Sequence, residues 1–93
     1  MFYWHITDKA NVSSILANGL TAPVYVCNNV GSCLAIREQQ MAEGTKAGSA
    51  TLLKVWLSDK FVLTVDEETD YDAFICSQDI PVARITIEMN EVI

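Results

Sequence analysis

The single histidine of the chain, His5, lies in Phe2-Tyr3-Trp4-His5-Ile6-Thr7, a stretch rich in aromatic and β-branched residues, as strands are. Strand alternation puts Phe2, Trp4 and Ile6 on one face and Tyr3, His5 and Thr7 on the other. The first set reads as core-facing. The second is a row of hydrogen-bonding groups: a phenol, an imidazole and a hydroxyl. Without further context, a histidine in an apolar strand is more often a satisfied structural group than a ligand-binding one. Thr7 serves equally well as a strand-end hydroxyl capping the next helix.

Two other groups of residues could carry chemistry. Cys27, Cys33 and Cys76 are odd in number and include no CxxC pair, which fits neither a disulfide framework nor a zinc site. They read as free, partly buried thiols of a reducing compartment. Cys33 follows Gly31-Ser32 at an expected helix start, where the helix dipole would lower its pKa. No second histidine completes a Cys/His pair, so a catalytic thiol is not the favoured reading. Five acids, Asp66, Glu67, Glu68, Asp70 and Asp72, crowd into residues 66–72. They form either a solvated loop or an acidic patch that docks on a basic partner surface.

The elements that would position these residues follow from periodicity and breakers. The spacing predicts a strand over 2–7. Asp8 is placed to cap a helix of about ten residues. Val12, Ile15, Leu16 and Leu20 recur at helical spacing, and Asn18-Gly19 stops that helix. Residues 24–27 read as a second strand. Ser32 is expected to cap a second helix through Glu43, ended by Gly44, with 44–49 a small polar loop. Strands follow over 51–57, 61–65, 73–76 and 83–89, where Ile85, Ile87 and Met89 face one way. The order β-α-β-α-β-β-β-β predicts an α+β domain with a small mixed or antiparallel split sheet and two helices.

Composition bounds the class. Ninety-three residues, 51% of them hydrophobic, make one domain over 1–93 with a core of its own. No apolar run approaches the roughly 20 residues that cross a bilayer, and the N-terminal residues lack a signal-peptide pattern. Cytoplasmic residence is the expectation. Net charge is −6, and the six basic residues form no stripe, which argues against nucleic-acid binding. Tyr3, Trp4 and Trp56 read as core or rim aromatics rather than base-stacking platforms.

His5-Ile6-Thr7, then Asn11, Ile15-Leu16 and Gly19-Leu20, resembles the opening of ADP-ribosyltransferase-like proteins. The DNA-modifying ADP-ribosyltransferase toxins and the RNA 2′-phosphotransferases look most similar. The resemblance spans nearly the whole chain, with His5-x-Thr7 as its one specific motif. It implies an enzyme that breaks the nicotinamide–ribose bond of NAD through an oxocarbenium-like transition state. His5 and Thr7 would clamp NAD, and Tyr25 would stack on nicotinamide. A glutamate that stabilises the developing charge would open the strand of Phe74-Ile75-Cys76, and there the chain has Ala73. Losing one such electrostatic contact costs about 100- to 1000-fold in rate. Asp72, Asp70 or Glu68 could stand in if the strand carried a bulge. Arg37 and Arg84 are too few for the phosphotransferase branch.

Three functions are therefore weighed. The first is a degenerate transferase-like domain kept as a protein- or nucleotide-binding module. The second is an active NAD-dependent mono-ADP-ribosyltransferase using a non-standard carboxylate, with His5 and Asp72 as catalytic candidates. The third is a small acidic inhibitor of host defence, of the mobile-element or phage type, acting through its acidic run on a basic protein. NAD is the possible cofactor, and no metal is expected.

Overall fold

Alternation of side chains over a β-favouring stretch produces the first strand, β1 (Phe2–Asp8), which becomes the centre of the sheet. The computed structural model describes residues 1–69 and 71–92. The chain continues through a 3-10 turn (Lys9–Asn11), α1 (Val12–Asn18), β2 (Val24–Cys27) and α2 (Val30–Ala42). It then runs through β3 (Ala50–Trp56), β4 (Leu63–Val65), β5 (Ala73–Cys76), a second 3-10 turn (Val82–Arg84) and β6 (Ile85–Val92). The architecture is α+β. All ladders are antiparallel, and the strand order is β4-β5-β2-β1-β3-β6.

The sheet falls into two halves. β1 pairs with β3 along its whole length, from Phe2 opposite Trp56 to Asp8 opposite Ala50. β2 pairs with β5 over all four of its residues. Between β1 and β2, however, the described ladder is one residue pair, Trp4 opposite Cys27. The six strands nevertheless form one continuous sheet, and the expected split is met only as this short junction.

Each face carries its own core and one helix. On the face of Tyr3, α1 contributes Ile15 against Val24, Val26, Leu53, Val55 and Ile85. On the face of Trp4 and Ile6, α2 contributes Cys33 and Ile36 against Cys27, Leu52 and Ala73. The expectation that Phe2, Trp4 and Ile6 face the main core is therefore corrected. Both faces are covered, the larger cluster lies on the Tyr3 side, and Phe2 is exposed. The run Leu52-Leu53 makes this possible, because it supplies one buried leucine to each face.

Two helix caps also differ from expectation. Asp8 ends β1 and makes no capping bond, because its carboxylate accepts from the Arg37 Nη1 of α2 at 2.7 Å. A buried guanidinium demands a carboxylate more strongly than a helix start does. α2 begins before Ser32, with Asn29 as its cap, whose Oδ1 accepts from the Ser32 backbone N–H at 2.8 Å. The β6 register shifts around Leu52, so Ile85 and Ile87 keep one alternation and Met89 leaves it. Gly44 and Gly19 stand where expected, both at positive φ.

Gly19 ties α1 to the rest of the fold. Its φ is 83°, and an added Cβ would meet the Ile80 carbonyl oxygen at 2.5 Å. Leu20 and Ile80 pair there as an isolated bridge. Gly19→Ala is therefore expected to destabilise the domain by about 2 kcal/mol or more. Thermal unfolding would read this as a drop of about 10 °C. An unchanged midpoint would contradict the close approach.

Candidate functional site

Where β1 and β2 part, backbone groups lose their ladder partners, and side chains replace them. His5 faces the opening and its Nδ1 lies 2.7 Å from the Tyr25 carbonyl oxygen. A carbonyl only accepts, so Nδ1 carries the proton and the neutral ring keeps Nε2 as an acceptor. Cys33 reaches into the same gap from α2, its thiol donating to the Trp4 carbonyl at 3.3 Å.

The parting of the strands opens a cleft of about 830 Å³. Side chains that belong to opposite faces of the sheet meet in it. His5 and Thr7 come from one face, Tyr25 and Ala73 from the other. His5 is half-buried, Thr7 is buried and Tyr25 is exposed. Thr7 Oγ1 accepts a long hydrogen bond, 3.4 Å, from Asn11 Nδ2. Ala73, only 4% exposed, sits in the first position of β5 on the wall beyond Cys27.

The acidic run divides. Asp66 and Glu68 line the cleft, and Asp66 Oδ1 caps the Glu68 backbone N–H at 3.1 Å. Glu67 and Asp72 are exposed and are not part of the lining. Asp72 Oδ2 instead accepts from Asn29 Nδ2 at 3.4 Å, beside the start of α2. Asp70 lies outside the described residues. Neighbours in the sequence thus have different places, because the segment turns through the β4–β5 connection.

Across from the acids, α2 and the segment after it contribute Arg37, Glu43 and Lys46. Arg37 is 2% exposed and is held by Asp8 and by the Ala47 and Gly48 carbonyls. Its charge is therefore matched within the fold. Among the described lining residues, Lys46 then faces Glu43, Asp66 and Glu68, a net acidic balance. Of the acids expected to stand beside His5, Glu68 lines its cavity and Asp72 does not, and Asp66, not considered for that place, lines it too. Sequence reasoning missed Arg37 as the organiser of the far wall, whose signal was a lone arginine at an inward helix position.

Burial pushes the His5 imidazole below its ordinary value near 6.5, while the Tyr25 carbonyl pulls the other way. The Cys33 thiol is pushed up by its neighbour Cys27 and by burial, which corrects the expectation of a lowered pKa at the helix start. The thiol that goes down is Cys27, through a hydrogen bond from Cys33, against the effects of burial, Asp72 and Asp66. All three cysteines are free and buried. Among the described residues, no group of three or more His, Cys, Asp or Glu could hold a metal ion. No described helix is long and apolar enough to cross a membrane.

Comparison of the chain with protein-family models and with curated proteins finds no match.

The His5 shift has a pH signature. The unfolded chain takes up a proton near pH 6.5, and the folded chain only at lower pH. Stability is therefore fully present above about pH 6.5 and falls as pH drops through the folded value. His5→Gln keeps a donor for the Tyr25 carbonyl and does not titrate. Melting curves of the two proteins across this window should differ most at the low end, with the wild type losing stability faster. A wild-type loss that grows with rising pH would contradict the assignment.

Proposed function

We propose that the chain is a degenerate ADP-ribosyltransferase-like domain acting as a binding module for a protein partner, whose basic side chain enters the His5 cleft. The observation that carries this reading is the convergence of His5, Thr7, Tyr25, Asp66 and Glu68 on one cavity with Ala73 at the strand position expected of the glutamate. The hydroxyl, imidazole and phenol suit the nicotinamide–ribose end of NAD. The rest of the lining does not suit the pyrophosphate. Glu43, Asp66 and Glu68 oppose a dianion, and Arg37 is already matched by Asp8. The same charges favour a guanidinium or ammonium group, with Tyr25 and Tyr71 at the rim as faces for a cation. The outer acids Glu67 and Asp72 extend the negative field beyond the cleft and steer a basic surface towards it.

One observation supports a second reading, an active transferase. Glu68 and Asp66 line the cleft that holds His5, whereas Asp72 does not. If a carboxylate replaces the one absent at Ala73, Glu68 or Asp66 is the group placed to do so.

Calorimetric titration with a short arginine-bearing peptide and, in parallel, with NAD separates the two. The peptide is expected to bind at low salt, weaken as salt rises, and weaken about tenfold in an Asp66→Asn, Glu68→Gln double variant. NAD is expected to remain intact on prolonged incubation. Nicotinamide release that is lost in His5→Ala would overturn the binding-module reading in favour of catalysis.

A further inference from the structure

The face of the sheet that carries Trp4 is covered over one half. There α2 packs chiefly on β1 and β2. Towards β3 and β6 large side chains of the same face meet solvent. Phe2 and Trp56 stand opposite each other, 46% and 42% exposed, with their rings edge to face and 5.0 Å between centroids. On β6, Met89 lies opposite Leu52 and is 40% exposed. Apolar side chains exposed one at a time need no explanation, but a connected group marks a surface that another molecule covers.

Two charges are fixed within this group. The half-buried Lys54 places its Nζ 4.2 Å from the centre of the Phe2 ring and 6.0 Å from that of Trp4. Trp4 Nε1 donates to Glu88 Oε1 at 3.2 Å. Aromatic rings thus hold both charges in place. Among the described residues the ion pairs are Lys9–Glu91 and Arg37–Asp8, so neither Lys54 nor Glu88 has a counter-charge within the fold.

We propose that this face binds the same face of a second copy of the chain, in a two-fold dimer whose sheets pack face to face. A two-fold contact needs a self-complementary surface, because residue i meets j and j meets i. One lysine and one glutamate anchored on a shared tryptophan supply it. Lys54 of each copy meets Glu88 of the other, twice across the axis, with the aromatic rings filling the roughly 10 Å between packed sheets. A partner surface of one sign would leave one of the two charges opposed. The net charge of −6 resists self-association, but least at this face. The acidic run lies on the β4–β5 connection, and the strand order places β4 and β6 at opposite edges.

None of these residues lines the His5 cleft, so the dimer stands or falls apart from the binding reading. Sedimentation of the wild type over about 1–200 µM tests it. A monomer should convert to a species of twice its mass. Both tryptophans of the chain belong to this face, so their emission should move to the blue over the same range. Trp56→Ser should weaken the dimer at least about tenfold. Lys54→Glu and Glu88→Lys each turn two attractions into two repulsions and should weaken it by a similar factor. An equimolar mixture of these two variants regains both attractions in the mixed dimer and should associate about as well as wild type. A wild type that stays monomeric at about 200 µM, a dimer that forms with unchanged tryptophan emission, or a mixture no tighter than its separate variants would each overturn the proposal. The wild-type arms decide it even if a variant fails to fold.

Discussion

Between β1 and β2 the described ladder is held by Trp4 opposite Cys27, and carbonyls at and near that pair take side-chain partners instead. An unpaired buried amide or carbonyl costs about 1–3 kcal/mol, so such a break persists only where side chains fill it. His5 does so at the Tyr25 carbonyl and Cys33 at the Trp4 carbonyl. The Asn28 backbone N–H turns to the Asp72 carbonyl at 3.2 Å, which fastens the β2 end to the β5 side. The cleft follows from this arrangement, since two strands that part by one ladder step leave space between their faces. His5 is at once a structural patch and a wall of the cavity.

The charges around the cleft follow the same logic of local satisfaction. Arg37 is buried, and Asp8 together with two loop carbonyls holds it, which fixes the segment after α2 against β1. That leaves the remaining carboxylates of the lining to face solvent and whatever enters. An acidic surplus disfavours phosphates on Coulombic grounds, which is the reason a basic partner rather than NAD is proposed for the cleft. The plan suggested by His5-x-Thr7 and the ligand favoured by the charges thus point different ways, and the proposed function takes the charges as decisive.

Much of the fold was legible in the sequence. Glycines, alternation and β-branched runs gave the order of strands and helices, because those signals are local. The errors fell where a distant residue competes with a local rule. Asp8 looks like a cap until Arg37, 29 positions away, takes its carboxylate. Ser32 is instead a local ambiguity, because Asn29, three positions earlier, is an equally good capping residue and takes the role. The site was legible in part. His5, Thr7, Tyr25 and Ala73 were named from one motif and share a cavity, but the split that unites them belongs to strand pairing, which no single segment encodes. Which of the acids joins His5, and the raised rather than lowered Cys33 thiol, depend on how the β4–β5 connection and α2 pack on the sheet.

One histidine in the chain makes the central claim directly measurable. Nitrogen-detected NMR of the imidazole across pH reads its tautomer and its titration together. The account predicts a neutral ring at pH 7 with the proton on Nδ1, a midpoint below 6.5, and an Nε2 signal that moves when a cleft ligand is added. A ring protonated on Nε2, or one that titrates above 6.5, would mean that His5 does not bridge the open strands, and the cleft built on that bridge would fall with it.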